Sequence, residues 1–180
     1  IIDLASLSEV SLASDNSTIA VTLDEPVYNA AGGSGALEAS DFVFAISGGV
    51  ATLSSTTPTS ISASGNVYTL GIGLSGTPTG VETLTVNPAS NSIYDAYSNI
   101  STISQSNNTV TINDKTPPTI TIAVADSDGN SLSSGSTTND ASLSLTFTVS
   151  EATANFASND LTLAGGTISS FSATSSTVYT

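Results

Sequence analysis

The sequence predicts an all-β chain built as two tandem β-sandwiches. Two observations carry that expectation. Apolar residues recur at alternate positions along one segment after another, and turn-forming residues bound each segment. No stretch long enough for a three-turn helix keeps an apolar face free of Gly, Pro, Ser and Thr. The composition agrees: about a third of the 180 residues are Ser or Thr, and β-branched side chains dominate the apolar set, as half-buried strands favour. With 38% of residues hydrophobic and only 9% charged, the chain can bury a core, which excludes disorder.

The elements follow in order. Thr18–Leu23, Asp41–Ile46, Asn66–Ile72, Glu82–Val86 and Thr109–Ile112 each alternate between polar and apolar residues, as do Thr119–Val124 and Ser142–Val149. Gly48-Gly49, Ser64-Gly65-Asn66, Ser75-Gly76, Asp128-Gly129-Asn130 and Gly165-Gly166 supply the turns between them. One polar and one apolar face per strand is what antiparallel sheets with one solvated side require. Asn113-Asp114-Lys115-Thr116-Pro117-Pro118 marks a boundary, because two prolines remove two ladder donors. The predicted domains are 1–113 and 114–180.

An internal repeat links the two halves. Leu23-Asp24-Glu25 matches Val149-Ser150-Glu151, and Ala39-Ser40-Asp41-Phe42 matches Ser158-Asn159-Asp160-Leu161. Ile46-Ser47-Gly48-Gly49 matches Leu163-Ala164-Gly165-Gly166, and Asn66-Val67-Tyr68-Thr69 matches Thr177-Val178-Tyr179-Thr180. The first half continues for about 45 residues beyond this last match, so the second domain is expected to be truncated, its final strands missing. The chain opens on Ile1 with no leader and reads as an internal piece of something longer.

These motifs resemble the bacterial Ig-like repeat domains of large secreted and cell-surface adhesins. Asp114-Lys115-Thr116-Pro117-Pro118-Thr119-Ile120 is similar to the Asp-x-x-Pro-Pro opening of such repeats. Ser136–Asp140, Phe147–Glu151 and Phe156–Gly166 resemble their central strands. Tyr94-Asp95-Ala96-Tyr97-Ser98-Asn99 is similar to the family's Asp-x-x-Gly-Asn turn, with Ser98 in the place of Gly. The resemblance implies an Ig-like sandwich and a stalk or adhesive role in an extracellular protein at the cell surface, of the kind used in gliding by Bacteroidota.

Composition removes most chemistries. The chain has no His and no Cys, so no imidazole base, thiolate nucleophile, disulfide or zinc–thiolate site can form. Lys115 is the lone cation against 15 acids, which excludes nucleic acid as a partner and argues against anionic membranes. No apolar run reaches the roughly 20 residues that span a bilayer, so direct membrane insertion is not expected. Asp24 and Glu25 are neighbours in an extended segment and point to opposite faces, so they do not converge for glycoside hydrolysis. The chain is not expected to be an enzyme.

Calcium is the cofactor that surplus carboxylates suit. In a sandwich, loops alternate between the two ends, so Asp15, Asn113, Asp114 and Glu151 are expected to meet at the domain junction. Asp126 and Asp128 face the other end. There Asp126-Ser127-Asp128-Gly129-Asn130 reads either as half of a calcium loop or as a plain type I′ hairpin turn. Tyr68 and Tyr179 occupy matching strand positions and read as packing residues, whereas Tyr94 and Tyr97 are candidates for a ligand contact. The expected function is a stiff spacer or filament element. Its partners would be neighbouring Ig-like repeats of the same chain, and surface glycans or another cell-surface protein. Two alternatives stand beside it: a carbohydrate-binding module of a secreted protein, and a filament subunit completed by a neighbour's strand.

Overall fold

The structure is a computed structural model that describes residues 5–180. Its contacts divide the chain into two compact units, Ile1–Thr116 and Pro117–Thr180. Among the described residues there is no α-helix. Two 3-10 turns, Ala39–Asp41 and Ser158–Asp160, interrupt an otherwise all-β, antiparallel arrangement.

Among its described residues the first unit holds nine strands: β1 (Leu7–Leu12), β2 (Thr18–Leu23), β3 (Phe42–Ser47), β4 (Thr52–Leu53), β5 (Ile61–Ser64), β6 (Val67–Gly71), β7 (Leu74–Ser75), β8 (Thr83–Pro88) and β9 (Thr109–Thr111). One sheet runs β1-β2-β6-β5 and a second runs β3-β8-β9, with β4 and β7 forming a small ribbon. That order is the A-B-E-D and C-F-G pairing of an immunoglobulin-like sandwich. β2 shows why it forms. Its Ile19, Val21 and Leu23 are buried while the residues between them are half-buried. β1 departs from simple alternation because a register shift between Leu7 and Glu9 inserts Ser8.

The two sheets close over one core. Leu7, Ile19, Val21, Leu23, Tyr68 and Leu70 come from the first sheet, and Phe42, Phe44, Leu84 and Val86 from the second. Ile93 and Ile112 belong to the same core. The Phe42 and Tyr68 rings meet at 6.1 Å, tilted by 46°.

The second unit holds a single sheet, ordered β11-β10-β12-β13. Its strands are β10 (Ile120–Ala125), β11 (Ser131–Leu132), β12 (Ser144–Val149) and β13 (Val178–Tyr179). The register repeats that of the first unit. Leu7 lies opposite Leu23 as Ile120 lies opposite Val149, and Tyr68 lies opposite Val21 as Tyr179 lies opposite Phe147. The two 3-10 turns are also equivalent. The Asp41 carboxylate accepts from the Glu38 N–H at 2.7 Å, and the Asp160 carboxylate from the Ala157 N–H at 3.0 Å.

The core of this unit is small. Phe147, Val149 and Tyr179 are buried under Phe156, Leu161 and Phe171, with ring centroids 5.0–5.8 Å apart. One expectation is overturned here. Phe156–Gly166 was expected to supply central strands, yet apart from the 3-10 turn it carries no regular element. The physical reason is pairing. β3 is held by β8, from Phe42 opposite Pro88 to Ser47 opposite Thr83, and Leu161–Gly166 has no such partner strand among the described residues.

Candidate functional site

Asp15 and the segment from Asn113 to Thr116 lie together in the first unit. Asp15 closes its own turn, accepting from the Ser17 N–H at 3.0 Å and the Ser17 hydroxyl at 2.7 Å. These bonds hold its carboxyl below the usual range. Asn16, buried and left-handed at φ 65°, carries the contact to the later segment. Its amide donates to the Asn113 carbonyl at 2.8 Å and accepts from the Asn113 N–H at 3.0 Å. Lys115 donates from Nζ to the Ser14 carbonyl at 2.9 Å rather than to a carboxylate. Asp114 accepts from the Thr116 N–H at 2.8 Å.

Glu151, Asp126 and Asp128 belong to the second unit. Glu151 follows the β12 end at which Val149 opposes Ile120. Asp126 follows the opposite end of β10, where Ala125 opposes Ser144. These residues are therefore not brought together. Asp126 is wrapped by its own loop: Oδ1 accepts from the N–H groups of Asp128 and Asn130 at 3.0 and 2.8 Å. The Asn130 amide, its N–H and the Asp128 N–H hold Asp126 below the ordinary carboxylate range. The type I′ expectation is corrected. Only Gly129 has positive φ in this loop, and its N–H bonds back to the Asp126 carbonyl at 3.1 Å. That is a type I turn closed by a left-handed glycine. Among the described residues, no three carboxylates converge in a way that could hold a metal ion.

The carboxylate that organises most backbone was not singled out in the sequence. Glu82, fully buried beside β8, accepts from the N–H groups of Val50 at 2.9 Å, Ala51 at 3.1 Å and Thr79 at 2.9 Å. Burial opposes its ionisation, but the N–H groups of Ala51, Thr79 and Val50 outweigh that and lower its pKa to about 2. The turn before β4 is shaped to receive it: a Cβ on Gly49 would lie 2.0 Å from Glu82 Oε1. The available signal was Gly48-Gly49 in one strand connection and a lone Glu opening the β8 alternation.

Asp95 does similar work in the Tyr94–Asn99 loop. It is buried, and its Oδ1 accepts from the Tyr97 and Asn99 N–H groups at 2.8 and 2.7 Å. Burial pushes its pKa up, and the Asn99 amide, the Asn99 N–H and the Tyr97 N–H bring it below the usual range. Ser98 adopts φ 70°, the left-handed conformation that glycine takes without strain. Tyr97 is 86% exposed, while Tyr94 is half-buried and donates its hydroxyl to the Asn91 carbonyl at 3.0 Å.

The depressed carboxyls set an acid limit. A group whose pKa is lowered by folding stabilises the fold above its unfolded value, near 4.5 for Glu82, and loses that contribution as pH falls toward about 2. The melting temperature of the first unit is therefore expected to drop between pH 5 and pH 2. Glu82→Gln should be less stable at pH 7 and should flatten that slope. A wild-type and a variant slope of equal steepness in a calorimetric pH series would show that Glu82 does not carry the dependence.

In the second unit an open groove of about 670 Å³ is lined by Leu143, Leu145, Phe147, Leu161 and Phe171 and by the polar side chains of Asp140, Ser144 and Thr180. It lies over the sheet face that would be the inner face of a sandwich. Ile120 there is 49% exposed, whereas its register equivalent Leu7 in the first unit is 2% exposed.

Residues 114–180 match the family model described as a bacterial Ig-like domain. That match covers the second unit, and the first unit's sheet order is Ig-like on its own geometry. No curated protein and no solved structure matches the chain.

Proposed function

We propose that the chain is a non-catalytic structural and adhesive repeat segment of a long extracellular surface protein. The observation that supports this most directly is the repeated plan of the two units. Tyr68 and Tyr179 hold the same register, and Asp41 and Asp160 close the same turn. Repeats of this kind extend a protein by addition, each with its own core. A chain free of Cys and Met presents no readily oxidised sulfur, which suits the outside of a cell. A carbohydrate-binding module would present several coplanar aromatics on one sheet face. Tyr68 and Tyr179 are buried, and Tyr97 stands exposed on a loop.

Stretching the chain by atomic force microscopy tests the spacer reading. The first unit should yield in one step, releasing an extended length of roughly 380 Å. Gradual lengthening at low force, or saturable binding on a glycan array lost in Tyr97→Ala, would turn the reading toward a binding module. A melting temperature that rises with calcium and falls back with chelator would show cation binding, the role proposed for Asp15, Asn113, Asp114, Glu151, Asp126 and Asp128.

A further inference from the structure

We infer that Asn107 is a glycan acceptor: the folded first unit presents its side-chain amide to a glycosyltransferase that uses a glycosyl pyrophosphate donor. Three sequences in the chain have the Asn-x-Ser/Thr form of an N-glycosylation acceptor, at Asn16, Asn99 and Asn107. That form asks for two groups together, the amide that takes the sugar and a hydroxyl two residues on. The fold seals the first two sequences and leaves the third open.

At Asn16 the amide is buried and bonded on both sides. It donates to the Asn113 carbonyl at 2.8 Å and accepts from the Asn113 N–H at 3.0 Å and the Asn113 side-chain amide at 2.8 Å. At Asn99 the amide nitrogen donates to Asp95 Oδ2 at 2.6 Å. The hydroxyl two residues on belongs to Ser101, which is buried and donates to the Ala5 carbonyl at 2.7 Å. A sugar at either position would first have to break these contacts, and each broken bond leaves a buried polar group without its partner.

Asn107 is the opposite case. Asn107 and Thr109 are both exposed, while Asn108 between them is buried. The Asn108 carbonyl accepts from the Val86 N–H at 2.9 Å and Thr109 lies opposite Thr85, so the acceptor sequence is anchored on β8 from beneath. Among the described residues, no hydrogen bond engages the Asn107 side-chain amide or the Thr109 hydroxyl. The transfer balances as a displacement at the anomeric carbon. Asn107 Nδ2 forms the new bond to that carbon, and the bond from it to the pyrophosphate oxygen breaks. The pyrophosphate leaves with the electron pair, on a nucleoside or on a polyprenyl lipid, and one amide proton passes to a base of the transferase. The readout is a covalent mass, so its failure leaves the spacer reading, which is tested by extension, untouched.

The test treats the folded 180-residue protein with a soluble asparagine glycosyltransferase and a uridine diphosphate hexose. A second arm uses an oligosaccharyltransferase and a polyprenyl-pyrophosphate oligosaccharide, and peptide mass spectrometry reads the products of both. The expected result is one adduct, on Asn107, in at least one arm, and the arm identifies the donor. Asn107→Gln should abolish the adduct. Thr109→Val should slow its formation at least tenfold while the melting temperature is kept, which separates loss of the hydroxyl from loss of the fold. Transfer to Asn16 or Asn99 of the folded protein as fast as to Asn107 would overturn the proposal. So would the absence of an adduct on Asn107 in both arms while a standard Asn-x-Thr peptide is glycosylated in the same reactions.

Discussion

Gly49→Ala should destabilise the first unit by about 3 kcal/mol, lowering its melting temperature on the order of 10 °C, while Gly65→Ala costs only about 1 kcal/mol. Both glycines have positive φ, at 57° and 59°, so the backbone strain of a new Cβ is the same. They differ in what the Cβ meets. At Gly65 nothing lies within 4 Å, and at Gly49 Glu82 Oε1 lies at 2.0 Å with Cδ at 2.2 Å. The methyl group must expel a buried carboxylate from three backbone donors, at Val50, Ala51 and Thr79. Differential scanning calorimetry of the two variants separates conformational strain from displacement of the carboxylate. Equal losses would mean that Glu82 moves aside without penalty.

Phe42→Ala should cost about 3–5 kcal/mol, and Leu161→Ala under about 1 kcal/mol. The two residues follow the same Asp-closed turn and begin matching segments. Phe42 is fully buried between two sheets, so its removal leaves a cavity the surroundings cannot fill. Leu161 is half-buried at the edge of an open groove that already admits solvent. Hydrogen exchange resolved by unit provides the comparison. A Leu161→Ala loss as large as that of Phe42→Ala would show a closed second core in solution.

The sequence made the two-faced strands legible and the unpaired segment illegible. β2 was readable over its full length because Ile19, Val21 and Leu23 all face one core. β1 escaped because Ser8 shifts the alternation at a bulge, and β4, β7 and β11 are too short to show a period. Phe156–Gly166 was placed among central strands by its resemblance to the family, while a ladder needs a partner strand that the resemblance does not supply within these residues. Among the candidate site residues, Asn113 bonds to Asn16, the neighbour of Asp15. Glu82 went unremarked because its donors lie about 30 residues away, at Val50 and Ala51, and contacts of that span leave no local mark. Asp126 was read from its spacing alone. The same spacing serves a carboxylate that caps its own loop.

The solitary cation also makes the chain digestible at one place. Trypsin cuts after lysine or arginine, and Lys115 is the only such residue in the 180. Its N–H is bonded to the Pro78 carbonyl and its ammonium to the Ser14 carbonyl, so the scissile bond is held while the first unit is folded. Cleavage then requires local opening, and its rate under mild digestion follows the population of opened molecules. A single nick between Lys115 and Thr116 separates the two units into fragments of distinct size, without engineering a site between them.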